Sequence, residues 1–210
     1  MSIPIRVMVV EDDPMAMRHL EYLVKSNSKY KLIYTIESAS MAEVYCAGGN
    51  LDLILMDIVT AMHASGLETA IKIKRAYPHI KIVILTSQLD ADLIRRAREG
   101  NIDSFGYKLL SDADLLSLLE RTMQGEQVYP EDTIKVPIGN TENTAFSEQQ
   151  ENVLRELCGA KTDEEIAEAL HLSVYTVRKY IQQMLEMTGF HNRTQLAVEA
   201  QKLGIVTFGY

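Results

Sequence analysis

Leu51-Asp52-Leu53-Ile54-Leu55-Met56-Asp57 is the stretch whose reading decides the fold. Five of its first six residues are apolar, a run too short for a helix and long enough for a strand buried on both faces. The run ends on a carboxylate. In an open parallel sheet the carboxyl ends of the strands are where ligands bind, so Asp57 stands where chemistry would be done. An isolated Asp at such a place is more often an ordinary strand-to-loop residue. The neighbouring elements decide between the two readings.

On the N-terminal side, Arg6-Val7-Met8-Val9-Val10 reads as a buried strand running into Glu11-Asp12-Asp13. Pro14 suits a first helical position, with Asp13 as the cap. A second strand is expected over 31–36, and Ser40-Met41-Ala42-Glu43 has the spacing of a capping box for a short helix ending at Gly48-Gly49. On the C-terminal side come a loop over 58–65, a helix over 67–77 closed by Pro78, and a strand over 81–85 ending at Thr86. A helix over 91–99, a strand over 104–107 ending at Lys108, and an amphipathic helix capped by Ser111 follow. Strand and helix alternate five times, which demands a parallel sheet with helices on both faces. Asp12, Asp13, Asp57, Thr86 and Lys108 each fall at the C-terminal end of a predicted strand and so converge on one rim.

Residues 1–124 therefore form one α/β domain. Over 125–145 the helical pattern lapses, and Pro130, Pro137, Gly139 and the polar run 140–144 mark a linker. Residues 146–210 make an all-α module of four helices, its first opened by a Ser147–Gln150 capping box.

The composition is that of a soluble globular protein: 210 residues, 47% hydrophobic and 24% charged. With 21 Lys and Arg against 29 Asp and Glu, the net charge of −8 argues against coating nucleic acid by charge alone. Cys46 and Cys158 lie in different domains without metal-ligand spacing and read as buried thiols in a reducing compartment. Acids at 11–13 interrupt any leader pattern, and no run approaches the roughly 20 apolar residues of a membrane span. A cytoplasmic protein with no membrane partner is expected.

Carboxylates crowded on one rim repel one another unless a counter-charge is present. A divalent cation relieves that repulsion, and Mg²⁺ suits a site with few protein oxygens and several waters. One carboxylate is then free to act as a nucleophile in acyl-phosphate formation. A Thr hydroxyl and a Lys ammonium opposite it can hold phosphate oxygens.

This constellation resembles the receiver domain of bacterial two-component response regulators. The matching residues are Glu11-Asp12-Asp13-Pro14, Met56-Asp57-Ile58, Leu85-Thr86-Ser87 and Gly106-Tyr107-Lys108. The resemblance implies a flavodoxin-like, doubly wound five-stranded parallel sheet. It implies that Asp57 accepts a phosphoryl group from a sensor histidine kinase, without catalytic turnover beyond slow self-dephosphorylation. Asp13, Asp57 and the Val59 backbone carbonyl would bind Mg²⁺ with Asp12 assisting, Thr86 and Lys108 would hold phosphate, and Thr86 with Phe105 would form the switch. The chain departs from the family in two places. Ile58 to Gly66 lacks the usual Met-Pro pair and places its Gly nine residues after Asp57 instead of eight, and Leu109 replaces the Pro that commonly follows the Lys. A cis bond before a non-proline residue costs about 3 kcal/mol, so the Lys108–Leu109 bond is expected trans.

In the second module, residues 164–170, a turn, and 173–181 have helix-turn-helix spacing. The stretch 147–206 resembles the DNA-binding domain of LuxR/NarL-class regulators, most specifically at Ser173, Thr176-Val177-Arg178 and Arg193-Thr194. By position, Arg178, Lys179 and Gln182 would reach bases and Lys161, Thr176 and Arg193 phosphates of double-stranded DNA. The module has six basic residues against nine acidic ones, and Glu186 stands where the family often carries a basic residue. Binding is therefore expected to be weak as a monomer and to require a homodimer formed on phosphorylation. Four other readings remain: a helical protein-binding module, an aspartate-nucleophile phosphatase, a flavin-binding domain, and a receiver that regulates DNA binding without phosphorylation. A phosphatase would need a second acid where Val59 stands, and a flavin domain would need a phosphate loop where 11–13 are acids.

Overall fold

The buried run forms a strand with every residue out of solvent, and the rest of the first half is arranged around it. The computed structural model describes residues 3–130 and 135–206. Of the linker expected over 125–145, residues 131–134 lie outside the described residues, as do the chain ends at 1–2 and 207–210. The described residues divide into two compact units, one running through Ser87 and again from Asp92 to 130, the other comprising Gln88–Ala91 and 135–206.

The chain runs β1 (Ile5–Val10), α1 (Pro14–Ser26), β2 (Tyr30–Ile36), α2 (Ala42–Cys46), β3 (Leu53–Asp57), β4 (Val59–Thr60), β5 (Ala64–Ser65), α3 (Gly66–Ala76), β6 (Lys81–Thr86), α4 (Ala91–Glu99), β7 (Ser104–Tyr107) and α5 (Asp112–Met123). Five strands pair in the order β2-β1-β3-β6-β7, all parallel, which is the doubly wound order with the first two strands exchanged. Alternation along the strands sends Val7, Val9, Leu53, Leu55, Val83 and Leu85 to the face covered by Leu20, Leu23 and Val24 of α1 and Leu115, Leu118 and Leu119 of α5. The intervening Met8, Ile54, Met56, Ile82 and Ile84 are equally buried. They face the opposite side, where α3 packs on β3 and β6. Both faces are therefore dry, which is why the strands read as continuous apolar runs.

Two local expectations change. Ser40 does not cap a helix: residues 39–41 form a 3₁₀ turn, α2 has no side-chain cap, and Ser38 Oγ donates to Ala61 O instead. The expected loop over 58–65 is a small antiparallel hairpin, with Val59 opposite Ser65 and Thr60 opposite Ala64. Met62 turns it in the left-handed region, at φ 62°. Part of the expected linker is ordered against the sheet. Val128 bridges Ser104 in parallel and accepts from Phe105 N–H at 2.8 Å, adding one residue to the sheet edge.

In the second unit β8 (Pro137–Ile138) and β9 (Thr141–Glu142) make a hairpin ahead of α6 (Glu148–Cys158), α7 (Asp163–Leu170), α8 (Val174–Thr188) and α9 (Arg193–Lys202). Val153, Leu154, Ile166, Val177, Met184 and Leu196 meet in one core with Ile138 and Phe146. Capping boxes open α6 at Ser147–Gln150, as the spacing predicts, and α7 at Thr162–Glu165. The turn between α7 and α8 is made by His171 at φ 54°. Gly139 is required where it stands, because a Cβ there would lie 2.0 Å from the Thr188 carbonyl.

Candidate functional site

The strand register sets the rim. Val10 lies opposite Met56 and Asp57 opposite Leu85, so Glu11, which follows β1, and Thr86, the last residue of β6, flank Asp57. Thr86 in turn lies opposite Tyr107, which brings Lys108 to the same edge, and Lys108 N–H donates to Thr86 O at 2.9 Å. The Lys108 ammonium sits 2.9 Å from Asp57 Oδ2 and 2.7 Å from Glu11 Oε2. Asp57 is only 6% exposed and Glu11 1%. Asp57 Oδ1 accepts from Ile58 N–H at 2.7 Å.

Burial pushes the Asp57 carboxyl up to about 6; Lys108 pulls against that shift and Glu11 adds to it. For Lys108, burial disfavours the ammonium, but Asp57 and Glu11 outweigh it and hold its pKa above the usual lysine value. The rim thus sets two buried acids against one half-buried base, with one surplus negative charge once both acids ionise.

The acids that come together are Glu11, Asp12 and Asp57, with ligand oxygens all within 4.8 Å of one another. Of the expected metal residues this group contains Asp12 and Asp57, and Glu11 stands with them. Asp13 is turned away to cap α1, its Oδ1 accepting from Met15 N–H at 3.0 Å and Ala16 N–H at 2.8 Å. A carboxylate that satisfies a helix N-terminus is already in use. Beyond its ion pair with Lys108, the buried Glu11 Oε2 has no hydrogen-bond partner among the described residues. A buried carboxylate oxygen held by a single ammonium, beside two other acids, belongs to the kind of oxygen donor set a hard divalent cation fits. No cis peptide occurs among the described residues, so Leu109 follows Lys108 in trans. Phe105 is buried on β7, edge-on to Tyr107 and stacked at 6.4 Å on Tyr129.

In the second unit, Tyr175, Arg178, Lys179, Gln182 and Glu186 form an exposed stripe along α8 at helical spacing. Gln182 Nε2 donates to Glu186 Oε1 at 3.0 Å. Thr176 lies in the first turn with its hydroxyl 2.8 Å from Ser173 Oγ. Arg193 Nη1 donates to Asp163 Oδ1 at 2.5 Å and Nη2 to Lys161 O at 2.9 Å, while the Lys161 ammonium pairs with Glu156. Arg178 Nε donates to the other oxygen of Asp163 at 2.8 Å.

Residues 7–120 match the response regulator receiver domain, and residues 144–200 match the LuxR family of bacterial regulatory proteins. The chain is a response regulator. Its receiver is followed by a LuxR-type helix-turn-helix DNA-binding domain, the organisation of a two-component transcription regulator. The response regulator protein VraR of Staphylococcus aureus is 27% identical over 203 residues, covering 93% of this chain and 96% of that one. VraR of Staphylococcus saprophyticus is 25% identical over 202 residues, covering 94% and 96%. In fold, the chain is similar to RcsB solved as two dimers bound to two parallel DNAs, with TM-score 0.63, 17% identity, and 95% and 98% coverage. The response regulator ChrA of a heme-sensing two-component system gives TM-score 0.51 at 19% identity, with 96% and 98% coverage.

Within this response regulator Asp12, Asp57, Thr86 and Lys108 lie together at the rim, while the Asp13 side chain caps α1. Three residues of interest had no role assigned to them from sequence. Glu11 was legible as an acid, but only the register of β1 against β3 shows that it, and not Asp13, faces Asp57. Tyr175 sits fully on the exposed stripe of α8, a position its spacing from Arg178 would have given. Asp163 carried no signal beyond its place in an acidic first turn.

Proposed function

We propose that this response regulator accepts a phosphoryl group on Asp57 from a sensor histidine kinase and, so modified, binds promoter DNA as a homodimer. The observation that carries the reading is the Lys108 ammonium held between the buried carboxylates of Asp57 and Glu11 at the carboxyl rim of the sheet. The receiver would span 1–124, the linker 125–145 and the DNA-binding domain 146–210.

Glu11, Asp12 and Asp57 would hold Mg²⁺ together with the Val59 carbonyl and waters. When bound, the ion would neutralise these acids and the oxygens of the incoming phosphoryl group. Asp57 Oδ forms its bond to phosphorus as the P–N bond of the phosphohistidine breaks. Lys108, already beside Asp57, pairs with a phosphoryl oxygen, and the Thr86 hydroxyl donates to another. Thr86 then draws toward the modified side chain and Phe105 moves with it, repacking the surface on that side of the sheet. Transfer is stoichiometric, followed by slow self-dephosphorylation. Among the described residues no helix is long and apolar enough to cross a membrane, in keeping with kinase and promoter partners in the cytoplasm.

DNA as the target rests on the LuxR-family match and on the fold shared with DNA-bound RcsB. Arg178, Lys179 and Gln182 would face bases, and Lys161, Thr176 and Arg193 phosphates. Acetyl phosphate with Mg²⁺ should label the native chain and leave Asp57→Ala unlabelled. Undiminished labelling of that variant refutes the assignment.

A second reading, a receiver that works unphosphorylated, draws on the hairpin that places Val59 opposite Ser65 beside the metal position. Sedimentation with and without beryllofluoride separates the two. A mass increase supports the phosphorylation switch, and an unchanged mass with intact DNA binding supports the alternative.

A further inference from the structure

Asp163 is the first residue of α7, following the Thr162 cap, and both of its carboxylate oxygens are taken by arginines from other helices. Oδ1 accepts from Arg193 Nη1 at the start of α9, and Oδ2 from Arg178 Nε on α8. Arg193 is itself fixed, because its Nη2 donates to the Lys161 carbonyl. The carboxylate is only 14% exposed, whereas the Arg178 side chain is 64% exposed. A backbone-anchored arginine therefore orients Asp163, and Asp163 orients Arg178.

The nitrogen used matters. A guanidinium is planar, with an Nε edge and an end-on edge made by its two terminal nitrogens. Asp163 takes Nε. Among the described residues the end-on edge carries only a longer contact, Nη2 at 3.5 Å from the exposed Glu164 carboxylate. That edge is the one that pairs bidentately with O6 and N7 of guanine in the major groove. Holding the Nε edge in advance removes rotamer freedom that would otherwise be lost on binding.

We propose that Asp163 is a positioning residue for sequence reading, holding Arg178 so that its terminal nitrogens read one guanine in the major groove. This rests on the DNA-binding reading above and adds its specificity determinant. The depressed pKa of Asp163, where burial is outweighed by its hydrogen bonds to Arg178 and Arg193, keeps the carboxylate charged at neutral pH.

The charge of Asp163 makes the idea separable from a merely structural role. Asp163→Asn removes a negative charge near the phosphates, so affinity for unrelated DNA should hold or rise. Discrimination at the single base pair read by Arg178 should fall. A loosened fold would lower both.

The test uses the full chain treated with beryllofluoride and Mg²⁺. A preferred site is selected from randomised duplexes, and affinities are then measured on duplexes altered one base pair at a time. Arg178→Lys keeps the charge, loses the fork and leaves the Asp163–Arg193 pair intact; it marks the base pair concerned. Asp163→Asn should lose discrimination at that same pair, out of the roughly 5- to 150-fold a bidentate contact supplies. Asp163→Glu should retain part of it. Full discrimination in Asp163→Asn, an equal loss at every position, or tighter binding with specificity intact would each overturn the assignment. The last of these would make Asp163 a competitor for Arg178. Failure of the native chain to select any sequence would instead overturn the DNA-reading function, and this assignment with it.

Discussion

A buried carboxylate costs stability whenever it is ionised, and Asp57 allows the sign to be worked out. Its folded pKa of about 6 lies above the ordinary value of 3.8. The folded chain therefore holds that proton more tightly than the unfolded chain does. The contribution of this group to stability is fully present below the unfolded value and is lost as pH rises through about 6. In metal-free buffer at pH 7.5, Asp57→Asn should unfold about 1–3 kcal/mol harder than the native chain, and the gap should close below pH 4. Denaturant unfolding across that range checks it; a less stable variant at pH 7.5 would mean that the Lys108 pairing outweighs burial. The two neighbouring acids are told apart in the same way. Glu11→Gln should weaken Mg²⁺ binding by tenfold or more, read as a lost rise in melting temperature on adding the ion. Asp13→Ala should instead cost about 1 kcal/mol through its lost helix cap and leave Mg²⁺ affinity nearly unchanged.

At the scale of elements, α3 starts against the backbone of β3. Gly66 N–H donates to Ile58 O at 2.8 Å, and a Cβ on Gly66 would stand 1.7 Å from the Asp57 carbonyl oxygen. No side-chain rotation relieves a clash with backbone. Gly66→Ala should cost about 3 kcal/mol or more, or force β3 and α3 apart, visible as a large fall in melting temperature together with loss of phosphoryl acceptance. The same junction shows what a sequence can and cannot say. The apolar run at 51–57, the caps at Asp13, Ser111, Ser147 and Ser173, and the strand–helix alternation were readable because each is a local pattern with a local cause. The shifted glycine was readable too, but not its accommodation: the extra residue is absorbed by paired strands of two residues each, too short to leave a period. Glu11 and Asp13 differ only in register, which is a property of two strands together. The same holds for Val128 on the edge of β7 and for Asp163 between two arginines: contacts across long stretches of chain leave no mark on either stretch alone.

For the whole molecule, charge decides how DNA can be held. The chain carries −8, and the unit that would meet DNA has more acids than bases. Several of its bases share their charge with acids, Lys161 with Glu156 and Arg193 and Arg178 with Asp163, which lowers the net charge offered to phosphates. Few phosphates can then be neutralised by one copy, roughly two or three, and counterion release scales with that number. The slope of log affinity against log salt should be about −2 for the untreated chain and about twice as steep after beryllofluoride, because a dimer brings two such surfaces to half-sites about 34 Å apart. Affinity should rise in step with the dimer fraction in sedimentation, and a site with its half-sites moved by half a helical turn should lose most of it. Tight binding by the untreated monomer, indifferent to salt and spacing, would contradict this. It would mean that one recognition helix suffices, and dimerisation would then have to act on something other than contact number.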